Sequence, residues 1–226
     1  MEQGCPKWSR TIICGKIVTG ARNEIVVRCF DQRRATMAQP PKVRMGTYAV
    51  CSTGPLISAF QSDSFWLFVQ IFAEIHISSV CTGELIRHGW ETEVQTATPP
   101  LVIVTLTTNE EQHAYTIAQQ IARHPANNDP IIENHMGEAQ AITLALRAEH
   151  QGDVLLLDEL AARAVAQQQG VKLSGFPGVL LLAVQTGLIT AEELKRRLAR
   201  CRQQGTHYGS ALIQQVYEMA RQNRRQ

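Results

Sequence analysis

The chain has 226 residues, 44% of them hydrophobic and 19% charged, with a net charge of +2. That is the make-up of a globular domain with appendages, not of a disordered chain. The longest apolar stretch, FPGVLLLAV at 176–184, is far short of the roughly 20 residues a membrane helix needs. No membrane association is therefore expected. The six cysteines never take a C-x-x-C spacing and no H-E-x-x-H pair occurs. Neither zinc nor a disulfide framework is indicated, and free thiols suit a reducing, cytoplasmic setting.

The small net charge hides an asymmetry. Residues 1–45 carry nine Lys/Arg against three Asp/Glu, 46–160 carry three against fourteen, and the segment from 190 onward carries eight against three. An acidic middle flanked by basic segments suits a cation-binding pocket beside a polyanion-binding rim. The same counts also fit charges scattered over solvated faces.

In chain order, residues 1–45 show no clean periodicity and end in AQPPKVR. They read as a poorly ordered basic arm, or as translation from a start upstream of Met37 or Met45. Regular organisation begins at Gly46. TYAVCS reads as a strand, and PLISAFQ as a short helix with Pro55 in its first turn. FWLFVQIFAE (65–74) is apolar all round, which predicts a buried helix or half-turn. IHISS is a second strand, followed by a helix from Val80 to His88 closed by Gly89. LVIVTLT is a third β run, and NEEQHAYTIAQQIARH an amphipathic helix with Asn109 as its cap.

GEAQAITLALRAEH is a further helix. DVLLLDELAARAVAQQQG reads as strand, turn at Asp158, and helix closed by Gly170. VKLSG is the last strand. After GFPG the pattern is helical over 177–186, over 190–203 with Thr190 as cap, and over 209–222. This alternation predicts an α/β fold with a parallel sheet flanked by helices. The expected organisation is an arm over 1–45, an α/β core over 46–175 and a helical C-terminal extension over 176–226.

Four places put polar groups at strand ends or first helical turns: Ser52-Thr53, Glu84, Glu138 and Asp158. Open α/β sheets put their chemistry at such positions. Magnesium takes oxygen ligands, usually one or two carboxylates with waters and a substrate phosphate. Acids without basic neighbours suit metal-assisted phosphodiester hydrolysis. Each residue also has a purely structural use. Asp158 could cap a helix, Glu138 could complement a helix dipole, Glu84 could be solvated, and Ser52 and Thr53 could satisfy a turn. Cys81 and His88 are misaligned for a nucleophile and its base.

The stretches STGPLISAF, ISSVCTGELIRHG, GEAQAITLAL, VLLLDELAARAVAQQQGVKLSG and GVLLLAVQTGLI, in that order, resemble the PIN-domain superfamily. The likeness is to its VapC-toxin-like bacterial and archaeal branch, and it runs from Tyr48 to Arg221, about three quarters of the chain. The resemblance implies a PIN-like, Rossmann-like parallel sheet and a Mg²⁺- or Mn²⁺-dependent ribonuclease site. The family's acids fall on Glu84, Glu138 and Asp158, which would be both catalytic and metal-binding. Two further acidic positions of the family fall on Ser52 and Gln140.

The expected function is therefore metal-dependent hydrolysis of RNA, in a toxin-like or RNA-processing role. The alternative is a catalytically impaired module that binds nucleic acid or protein. Ser52 and Thr53 would orient a ligand or phosphate, and Lys195, Arg196, Arg197 and Arg200 would follow the RNA backbone. An antitoxin protein and a homodimer are the further expected partners. The three carboxylates are expected to converge at the carboxyl edge of the sheet, with Ser52 facing them.

Overall fold

A computed structural model describes residues 48–97, 100–206 and 208–222. The arm expected over 1–45 lies outside the described residues. Five strands form one sheet: β1 (Tyr48–Cys51), β2 (Glu74–Ser78), β3 (Leu101–Val104), β4 (Val154–Leu156) and β5 (Leu173–Ser174). All pairings are parallel and the order is β3-β2-β1-β4-β5. The chain thus builds outward from β1 in one direction, then returns to pair β4 against its other side. The resulting switch point lies between the ends of β1 and β4, where open sheets leave a crevice.

The apolar residues alternate along the strands, as a sheet covered on both faces requires. Ala49, Cys51, Ile75, Ile77 and Leu156 face one core, and Val50, Leu155 and Leu157 the other. The first core is closed by α1 (Thr53–Gln61), α2 (Phe65–Ile71), α3 (Ser79–Arg87), α4 (Glu91–Thr96), α8 (Phe176–Gln185), α9 (Ala191–Gln203) and α10 (Ser210–Gln222). The second is closed by α5 (Thr108–Ala122), α6 (Met136–Ala145) and α7 (Leu160–Gln168). The C-terminal helices are therefore a wall of the first core, with Leu194, Leu198 and Ala220 fully buried in it. Among the described residues, no helix is long and apolar enough to cross a membrane.

Several local expectations need correction. α2 is not buried all round, because Trp66 and Val69 are exposed and the Arg197 guanidinium lies over the Trp66 ring. α4, which the sequence pattern did not predict, is a polar helix that buries only Val94. α5 begins one residue before Asn109, and its cap is Thr107. The Glu110 N–H donates to Thr107 Oγ1 (3.4 Å) and the Thr107 N–H to Glu110 Oε2 (2.7 Å), a reciprocal capping box.

Arg147, just beyond α6, explains why the box wins. Its Nε and Nη2 donate to the two oxygens of Glu110 at 2.7 and 2.9 Å, and Nη2 also reaches Thr105 O. This paired contact with Arg147 is the main reason the Glu110 carboxyl is held down at about 2. A carboxyl depressed on folding adds stability above its unfolded value, about 4.5 here, and loses it as pH falls through about 2. Arg147→Ala is expected to lower the unfolding free energy by about 1 kcal/mol at pH 7. In urea titrations that deficit should begin to shrink below about pH 4.5.

Candidate active site at the carboxyl edge of the sheet

Ser52 follows β1 directly and is 1% exposed. Its N–H (3.0 Å) and its Oγ (3.3 Å) both donate to Leu156 O, the last carbonyl of β4. The hydroxyl thus stitches β1 to β4 across the switch point and leaves α1 without a side-chain cap. Thr53 opens α1, and its Oγ1 donates to Glu84 Oε2.

Glu84 lies on α3, with its carboxylate over the backbone of Gly137. A Cβ at Gly137 would sit 2.6 and 2.8 Å from the two carboxylate oxygens. Glycine in a helix is disfavoured unless something must approach closely, and here that something is Glu84. Gly137→Ala is therefore expected to push the Glu84 carboxylate off Thr53. The readout is a Glu84 carboxylate displaced from Thr53 in a crystal structure of the variant, with the melting temperature within a few degrees of wild type, since the clash is with the movable end of a side chain.

Glu138, the next residue, lies in the first turn of α6, where the charge of Glu84 acts on it. Burial, reinforced by the charges of Glu84 and Glu159, pushes its carboxyl up to about 7. Gln140, two residues on, is buried and its Oε1 has no hydrogen-bond partner. The Cys81 thiol beneath this pair is raised to about 12, first of all by burial. Such a thiol stays protonated and is no nucleophile at neutral pH.

Asp158 stands beyond the end of β4. It does not cap the following helix: Glu159 does, accepting from the Ala161 and Ala162 N–H groups. The Asp158 carboxylate instead accepts from the Phe176 N–H on Oδ1 (2.9 Å) and from the Tyr208 hydroxyl on Oδ2 (2.7 Å). Burial raises its pKa, and these two donors oppose the rise. Gly175 is another close approach, since a Cβ there would lie 2.3 Å from Asp158 Oδ1.

Ser52, Glu138, Asp158, Glu159, Arg163 and Tyr208 all line one cleft of about 720 Å³. Glu84 does not line it; its carboxylate lies against Gly137, next to Glu138, and accepts from Thr53. The acids are thus brought to one sheet edge as a neighbouring pair, Glu84 and Glu138, with Asp158 across the cleft. Among the described residues, no three His, Cys, Asp or Glu side chains form a ready-made cation-binding group.

The donor set nevertheless suits a hard divalent ion in one way. Mg²⁺ commonly takes only one or two carboxylates and keeps its waters, and Glu84 with Glu138 offers two. Asp158 uses one acceptor site on each oxygen, out of about four a carboxylate has.

The basic residues of α9 lie elsewhere. Arg197 Nη1 donates to Ser62 O, Asp63 O and Ser64 Oγ, and Arg200 pairs with Asp63. They hold the turn after α1, where Asp63 takes a positive φ of 51°. Ser52 and Thr53 stand at the other end of α1, about 13 Å away along a nine-residue helix. Lys195 reaches Gln214 and lies over the Tyr217 ring. Arg196, with a side chain 73% exposed, has a loose pair with Glu193 at 3.6 Å. Among the described residues, the cation that lines the cleft is Arg163, which also donates to Leu157 O and Ser174 O.

Tyr208, Arg163, Glu159 and the two glycines are the site residues that sequence reasoning missed. A glycine directly before an acid at a helix start was the available signal for Gly137. The lone Tyr208 gave none.

A family model described as a PIN domain matches residues 48–222, and the chain belongs to that family. The family is nuclease-like, and its members generally use divalent metal ions. None of the curated proteins matches the chain in sequence.

Proposed function

We propose that this protein is a metal-dependent ribonuclease of toxin-like or RNA-processing type. The observation that carries the reading is that Glu138 and Asp158 line one cleft at the topological switch point, with the Glu84 carboxylate against Gly137, next to Glu138. Glu84, Glu138 and Asp158 would hold Mg²⁺ or Mn²⁺, Asp158 through the acceptor sites left free by Phe176 and Tyr208. Such an ion, when bound, generates a water nucleophile at neutral pH and offsets charge on a phosphate.

The chain's own residues do the positioning. Thr53 fixes one oxygen of Glu84, and the Phe176 N–H fixes one oxygen of Asp158. Arg163 lines the same cleft and supplies positive charge near Asp158, where an RNA phosphate would need it. Of the α9 cations, Arg196 has the exposure to meet an RNA backbone. A toxin-like role would bring an antitoxin protein as partner.

A catalytically impaired binding module is the second reading. It is favoured by Ser52, whose hydroxyl is committed to Leu156 O where an acid would carry charge. Calorimetry with Mg²⁺ and Mn²⁺, paired with cleavage of single-stranded RNA, separates the two. The nuclease reading expects cleavage that chelator abolishes, that Mn²⁺ restores and that Glu84→Gln loses. Metal or RNA binding without cleavage selects the module.

A further inference from the structure

Resting on the nuclease reading, we infer that Tyr208 is a positioning residue, and that the C-terminal helices belong to the active site because they hold Asp158 through it. The Tyr208 hydroxyl donates to Asp158 Oδ2 at 2.7 Å and lies 2.9 Å from Ser58 Oγ. A phenol has one proton. Given to a carboxylate, which only accepts when ionised, it leaves the hydroxyl to accept from Ser58. The chain of donation therefore runs from α1 through the C-terminal segment to the acid.

The ring reinforces the arrangement. It is buried and stacks on Phe176, with centroids 6.4 Å apart and planes at 20°. Phe176 is the residue whose N–H holds the other oxygen of Asp158. One aromatic stack thus carries both donors, and the carboxylate is fixed in rotation about its own axis.

The segment bearing Tyr208 is itself tied down. Gln61 Nε2 donates to Gln204 O (3.3 Å) and Gln204 Nε2 to Gln61 O (3.2 Å). Thr206 Oγ1 donates to Gln61 Oε1 (2.6 Å) and Cys201 Sγ to Ser58 O (3.2 Å). The loop between α9 and α10 is clamped to the C-terminal half of α1, which fixes where Tyr208 can reach. A buried carboxylate without such donors would turn to find others, and a misplaced ligand costs rate steeply.

The test is a double-mutant cycle on the full chain, Tyr208→Phe with Asp158→Asn, read by Mn²⁺ affinity in calorimetry and by kcat and KM for RNA cleavage. Tyr208→Phe keeps the ring and the stack. It is expected to weaken Mn²⁺ binding about tenfold and to lower kcat about tenfold, with KM for RNA unchanged. In the Asp158→Asn background, Tyr208→Phe should change neither quantity further, because the hydroxyl acts through that carboxylate. Arg147→Ala, which loosens the start of α5 on the second core, is the control. It lowers the melting temperature but leaves Mn²⁺ affinity and kcat alone, so a general loss of stability is told apart from positioning.

Wild-type Mn²⁺ affinity in Tyr208→Phe overturns the inference, as does an equal effect of Tyr208→Phe with and without the Asp158 carboxylate. Wild-type protein that binds no Mn²⁺ overturns it too. Protein that binds Mn²⁺ in a Tyr208-dependent way yet cleaves no RNA upholds the positioning role and overturns the nuclease reading alone.

Discussion

In chelator, the free energy of unfolding is expected to fall by about 3 kcal/mol between pH 5 and pH 8. The cause is Glu138, whose carboxyl stands near 7 in the folded chain against an ordinary 4.5. Between those two values the folded state keeps a proton that the unfolded state has released. Stability from this group is therefore complete below about 4.5 and is lost as pH rises through about 7. Asp158, also raised by burial, pushes in the same direction. Glu110 and Glu193 are depressed instead, so their contributions change only in more acid solution.

Adding Mn²⁺ should flatten the slope, because a bound cation stabilises the ionised form that the low-dielectric site opposes. Glu138→Gln should flatten it without metal. Urea unfolding at several pH values, with chelator and with Mn²⁺, measures all three. A flat profile for wild type in chelator would show that Glu138 is solvated and ionised at neutral pH.

The architecture was legible because it depends on local pattern. Short β-rich runs alternate with amphipathic stretches, and Gly89 and Gly170 sit just beyond α3 and α7 at positive φ, where only glycine is unstrained. What went astray was decided by partners distant in sequence. Thr107 and Asn109 are both competent caps, and Arg147, 37 residues beyond Glu110, settles the choice in favour of Thr107.

The same holds at the site. Glu84, Glu138 and Asp158 could be picked out from their places after strands and in first helical turns. Their environments could not, since burial beside Glu84 or a hydroxyl from Tyr208 is a matter of packing. The basic run KRRLARCR shows the reverse error. Its charge is plain in the sequence, but Arg197 and Arg200 are used on the turn at 62–64, and composition carries no sign of that. Charge that stabilises a turn and charge that awaits a polyanion look alike in one dimension.

Ser52→Asp is the substitution expected to move most. Ser52 is buried, lines the cleft with Glu138 and Asp158, and replaces its neighbourhood's missing acid with a hydroxyl bonded to Leu156 O. An aspartate there adds a fourth carboxylate to the cleft wall, after Glu138, Asp158 and Glu159, and leaves that carbonyl without the Oγ donor. In chelator, burying it among like charges should cost about 3 kcal/mol, or roughly 6–12 °C in melting temperature for a chain of this size. Mg²⁺ or Mn²⁺ should recover most of the loss, because the added oxygen becomes a ligand. Metal affinity should rise above wild type, and cleavage should rise with it if the hydroxyl is what limits the site. Adding Glu138→Gln to Ser52→Asp should cancel the gain, since both carboxylates act on one ion. Metal affinity unchanged by Ser52→Asp would mean that position 52 never faces the ion, and that the stitch to β4 is the whole of its role. Tighter binding with no cleavage would instead select the binding module.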